Sequence, residues 1–267
     1  MLRLRSWIDI NKINWDKLSL NPKAIQMLEQ NMEKINWSYL SRNPEAMHIL
    51  VRNKSKIDWE ELSMNENAIF LLKENEDKID WKWISINKNA YNLIKNNLNK
   101  IDWKLLSTNT NKNIINILKK NKKKINWNYL SHNKNAICLI KNNLNKINMD
   151  GLSENKNAID ILENNSNLIN WWFISNNPNA IHIIKNNLDK INWDELSLNP
   201  NAIDIIQYNI DKINWNYLST NPSIFEYDYK KMYETTSIFK EELIQKVFHP
   251  RRFERYLNEF GYDMGDL

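Results

Sequence analysis

A chain of 267 residues that is 42% hydrophobic can bury a sizeable core, and with 26% charged residues and a net charge of +5 its surface is mixed and only mildly basic, short of the concentrated excess expected of a dedicated nucleic-acid binder. Its one cysteine, Cys138, excludes an intramolecular disulfide framework and fits a reducing compartment. Residues 1–15 hold Arg3 and Arg5 but no apolar leader, and no run is long enough to span a bilayer, so the chain reads as soluble and intracellular.

From Trp15 onward one phrase recurs ten times: Ile, Asn or Asp, Trp, two variable residues, an aliphatic residue, Ser, a variable residue and Asn. The register runs Trp15, Trp37, Trp59, Trp81, Trp103, Trp127, Met149, Trp171, Trp193 and Trp215. Its 22-residue step is broken only by a two-residue insertion near Asn109 to Asn111. Such a period marks stacked repeats, each able to bury its apolar face only against its neighbours. The expectation is an all-α fold: an α-solenoid of about ten short helix-turn-helix repeats with a helical C-terminal cap. The repeats would occupy residues 1–222, with a partial unit at 1–12, and a capping tail residues 223–267. At ~8–10 Å between helix axes, ten units would make a rod or arc of roughly 80–100 Å.

Within one unit, Asn192 is placed to cap a first helix starting at Trp193, and Trp193 and Leu196 share one face. Asn199-Pro200 then repeats the start signal, Pro being tolerated where its N–H would be unpaired. Ala202, Ile203, Ile205 and Ile206 supply the apolar stripe of a second helix, closed by Asn209 where a left-handed residue is wanted. The tryptophans, each at helical spacing from an aliphatic residue, read as a core ladder. Ser19 and its nine counterparts recur too often to be nucleophiles and fit a local bond to the backbone. Lys precedes the Trp by three in nine units, Leu168 being the exception; such a row suits either a helix C-terminus or a phosphate backbone. Lys119, Lys120, Lys122, Lys123 and Lys124 form the densest basic patch.

Specificity in a repeat protein sits on positions that its own packing does not fix. Two residues after the Trp, half the copies are aromatic: Tyr39, Trp83, Tyr129, Phe173 and Tyr217. They are candidates for a protein-binding strip. In the tail, Arg251, Arg252 and Arg255 could dock an acidic partner. The insertion and the Met149 and Gly151 departures in the seventh copy should alter twist or curvature. His48, His132, His182 and His249 lack metal-ligand spacing, and no catalytic, phosphate-loop or paired-Cys motif occurs, so neither an enzyme nor a cofactor is expected.

The repeat phrase, together with Asn221-Pro222-Ser223-Ile224-Phe225, Tyr227-Asp228-Tyr229, Lys231-Met232, Glu241 to Ile244 and Phe248 to Pro250, is similar to the tandem-repeat proteins of nucleocytoplasmic large DNA viruses, the giant viruses. The resemblance covers nearly the whole chain and implies no catalytic residues, a host-cytoplasm or virion setting, and binding as the default role. The resulting expectation is a scaffold or adaptor for another protein, viral or host, with a basic RNA-binding array as the alternative.

Overall fold

The computed structural model describes residues 2–247 and is built almost wholly of short helices. Two compact units separate: residues 5–224, which hold the repeats, and a smaller unit that includes residues 2–4 and 225–247. In the smaller unit, strand Leu2–Leu4 pairs antiparallel with Phe225–Tyr227, and helix Tyr229–Val247 follows.

Each repeat opens as its sequence dictates. The Asn or Asp before the Trp position has extended backbone, and its side-chain oxygen accepts an N–H of the first turn in all ten copies. These first helices are four to six residues long, as in Trp15–Leu18 and Trp193–Leu198; in the fourth repeat it is a 3-10 turn, Trp83–Ile86. A second helix follows, as in Ile203–Gln207, and then a third element that the sequence pattern hid, a 3-10 turn such as Met32–Lys34 or Lys54–Lys56. The Asn between the last two is not left-handed. Asn31, Asn53 and Asn75 have φ of −140°, −125° and −136°. Each instead donates its side-chain amide to the carbonyl four residues back, at 2.9 Å in all three, which satisfies a helix-end acceptor without a positive φ.

Layers are joined by buried polar side chains. The repeated Ser donates its hydroxyl to the carbonyl four residues back and accepts the N–H of the next repeat's capping residue, as Ser41 does from Asp58 at 3.0 Å. Two residues on, a fully buried Asn reaches back one repeat: Asn43 donates to the carbonyls of Ser19 and Asn21, and Asn65 to those of Ser41 and Asn43. Leu40, Ala46 and Leu50, with their equivalents, fill the apolar space beside this ladder.

The ladder does not stop at the tenth repeat. Asn14 N–H donates to Ser219 Oγ at 2.9 Å, and Asn21 donates to the carbonyls of Ser219 and Asn221 at 3.1 and 3.0 Å. Those are the bonds that neighbouring layers make elsewhere, the seventh lacking one of them, so the first repeat is the tenth repeat's next layer. Arg5 adds a latch, its N–H bonding the Ile224 carbonyl and its Nε the Ser223 carbonyl. The open rod or arc is therefore replaced by a closed circuit of ten layers. Hydrogen bonding favours this closure, because an open array would leave the Ser219 carbonyl without its amide partner and the Asn221 carbonyl with the Ile224 N–H alone.

The insertion leaves the ladder intact. Its two extra residues lie between Asn109 and Ile114 and lengthen the second helix to nine residues, Lys112–Lys120. Asn109 and Asn133 still make both inter-layer bonds, at 2.7–3.1 Å.

Candidate functional site

Closure creates an inside. The residues after the repeated Ser and after the buried Asn point to one cavity of about 480 Å³, lined by side chains from the fourth to the ninth repeats, among them Lys88, His132, Lys134, Glu154, Lys156 and Leu198. Six consecutive layers can share one hollow only by curving around it. Its charges are partly matched: Lys88 pairs with Glu66, and His132 Nδ1 lies 2.9 Å from Glu154 Oε2. Among the described residues, Lys134 and Lys156 have no ion-pair partner. One arc of the wall is cationic, while Pro178, Leu198 and Pro200 make the next arc apolar. The sequence reading passed over these positions. Their variability is visible in the repeats, but nothing in it gives them a common interior.

The tryptophans are half-buried rather than core. Over each ring sits the ammonium of the next repeat's lysine: Lys34 over Trp15 at 4.2 Å, Lys124 over Trp103 at 4.4 Å, Lys190 over Trp171 at 5.0 Å, and, across the closure, Lys12 over Trp215 at 5.3 Å. The lysine row is thus a set of cation–π lids, each stabilising by about 0.5–1 kcal/mol at such a half-exposed site. Lys124 belongs to this row, with Lys119, Lys120, Lys122 and Lys123 beside it, and all five are exposed.

The aromatic strip falls on alternate layers, and all five side chains are half-buried. Lys17 Nζ lies 4.6 Å from the Tyr39 ring and donates to its hydroxyl at 3.0 Å; Lys104 lies over Tyr129 at 4.7 Å and Lys82 over Trp83 at 4.6 Å. Trp83 Nε1 also donates to Glu60 at 2.5 Å. Between the strip's aromatic layers stand Glu61 and Glu195, whose carboxyls burial pushes above their ordinary range; Glu61 Oε2 is buried with no hydrogen-bond partner, while Glu195 accepts a bond from Trp172 that partly opposes the shift. Among the described residues no lysine lies over the rings of Phe173 and Tyr217.

The seventh repeat departs from its fellows in a concerted way. Where a side chain stands two after the Trp in other layers, Gly151 leaves room that the His132 ring fills, so that an added Cβ would come within 2.7 Å of the imidazole. Asn155 makes only the bond to the Ser131 carbonyl and lacks the second ladder bond. Met149 replaces the indole and Leu168 the lysine that would lie over it. Around them is an apolar hollow of about 290 Å³, lined by Leu144, Met149, Leu152, Ile161, Leu162 and Leu168 with two Asn side chains.

Arg251, Arg252 and Arg255 lie outside the described residues. Among the described residues no group of His, Cys, Asp or Glu is placed to hold a metal ion, and no helix is long and apolar enough to cross a membrane. On the tail helix, Tyr229, Tyr233, Leu243 and Ile244 are exposed. No protein-family model, curated protein or solved structure matches the chain.

Proposed function

We propose that this chain is a non-catalytic scaffold or adaptor that binds other proteins. The observation that carries the reading is a set of exposed apolar side chains on the tail helix, where Tyr229 is 74% exposed, Tyr233 69%, Leu243 62% and Ile244 45%, with exposed Thr236 and Lys240 between the two pairs. At 3.6 residues per turn these four positions fall within an arc of roughly 100°, the width of a face that a globular helix normally buries. A helix carrying such a face is the kind of element that a partner's hydrophobic groove receives. The repeat and tail motifs, through their similarity to giant-virus proteins, support a setting in the host cytoplasm or the virion.

The lysine lids favour this reading over the runner-up, a basic nucleic-acid-binding array. The nine ammonium groups remain exposed and charged, but each would give up a cation–π contact within the repeats on turning to a phosphate backbone. Affinity purification from infected cells, with and without nuclease, tests the choice. The expected result is a set of nuclease-resistant partners that is lost in the variant Tyr229→Ser, Tyr233→Ser, Leu243→Ser while the helical signal and the melting of the repeats are kept. Recovery that depends wholly on RNA would overturn the reading.

A further inference from the structure

The seventh and eighth repeats present the same hollow at two depths. In the eighth it is lined by Ser166, Trp171, Ile183 and Lys190, and its floor is the indole with its lysine lid. In the seventh the equivalent positions are Leu144, Met149, Ile161 and Leu168, and the hollow continues past them to Leu152 and Leu162, which belong to the core. Two substitutions 19 residues apart in the sequence therefore act on one place. Removing the indole opens the layer to its core, and removing the lysine makes the rim apolar.

We propose that this hollow is a binding socket for an uncharged aromatic group of indole size. The repeats themselves define the complement: nine layers place an indole from their own chain between this space and the core, and the seventh places Met149 there. The hollow's size is sufficient, since an apolar cavity of about 150 Å³ already takes up benzene, and this one measures about 290 Å³. Its lining is suitable too. Four Leu and one Ile side chain give dispersion contacts across the ring faces, and the Met149 thioether offers a favourable sulfur–aromatic contact. An ionised ligand is disfavoured, because no charged side chain lines the socket.

The full chain and free indole are the starting materials, with binding followed by ligand-observed NMR and by melting temperature. The expected result is a single saturable site that raises the melting temperature and becomes at least tenfold weaker in Met149→Trp, where the chain supplies its own ring. Pairing Trp171→Met with Lys190→Leu should build a second socket in the eighth repeat and double the stoichiometry. That variant keeps the idea testable if Met149→Trp fails to fold. N-acetyltryptophanamide separates the sources: binding of both probes points to a tryptophan side chain of a polypeptide, and binding of indole alone to a free small molecule. Equal indole binding by the native chain and Met149→Trp, or no binding at millimolar indole, overturns the proposal.

Discussion

The seventh and eighth repeats share a backbone plan, a capping Asn, a Ser and a buried Asn, yet they distribute their stability differently. In the eighth, Asn177 bridges the carbonyls of Ser153 and Asn155, Trp171 floors the hollow and Lys190 covers the ring. In the seventh, Asn155 makes one such bridge, Met149 leaves the hollow open and nothing charged covers it. The difference separates two roles that the repeat phrase merges. Ser and Asn define the layer and are kept in both, whereas Trp and Lys form a detachable surface pair that the seventh repeat gives up together.

The largest effect in this comparison should come from the ladder. Asn177→Ala strands the buried Ser153 carbonyl and the N–H of Asn179 and takes one of two donors from the Asn155 carbonyl, which keeps the Ala158 N–H, and should cost about 3 kcal/mol in chemical denaturation. Asn155→Ala in the seventh layer should cost about 1 kcal/mol less, since it breaks one fewer bond. Equal losses would mean that the missing bond carries no weight.

Next come the hollows. Trp171→Ala should cost about 2–3 kcal/mol, below the range for a fully buried tryptophan because the ring is half-exposed, and Met149→Ala less than about 1.5 kcal/mol. If Trp171→Ala cost less than about 1 kcal/mol, the tryptophans would be ornaments of the surface. A smaller term belongs to the lids: Lys190→Met should lose about 0.5–1 kcal/mol, and Leu168→Lys should gain a similar amount only when Met149→Trp is also present. A double-mutant cycle reads that coupling directly, and additive behaviour would deny the pair its joint role.

The smallest effect lies in the ninth layer, where Glu195 accepts a bond from Trp172 of the eighth. Burial raises the Glu195 carboxyl above its ordinary value of 4.5, so the folded state binds this proton more tightly than the unfolded chain does. Its contribution is fully present below pH 4.5 and is lost as pH rises through the raised value, leaving the ionised group a liability at neutrality. Glu195→Gln should therefore stabilise the chain at pH 7 by a few tenths of a kcal/mol, allowing for solvent screening. That gain should vanish on acidification, and a pH-independent gain would point to packing instead of charge.

The repeat period, the Asn and Asp caps and the first two helices of each layer were legible because they depend on residues within four positions of one another. Closure was not, since no residue in the phrase specifies the angle between layers. The partners of Ser19 and Asn43 were hidden for a related reason: they lie 17 and 22–24 residues away, and one member of each bond is a backbone group that carries no sequence signal. Asn31 and its equivalents misled because Asn can end a helix in two ways, and here it used its side chain. The lining of the central cavity could not be read without closure, since only a closed circuit gives the variable residues after Ser and Asn a common interior. Met149 and Leu168 were each visible as departures, but their pairing required the lysine lids to be seen.

Closure also counts. An open array gains or loses a unit at its end with little consequence for the rest, whereas a circuit in which each joint turns through a tenth of a revolution accepts no other number without bending every joint. The alternation of aromatic and non-aromatic residues two after the Trp adds a parity rule: a circuit of nine or eleven would set two like layers side by side. Gene-level slippage, the usual way in which tandem arrays change length, should thus be tolerated here only in pairs of units, if at all, and the number ten is as much a property of this protein as any residue in it.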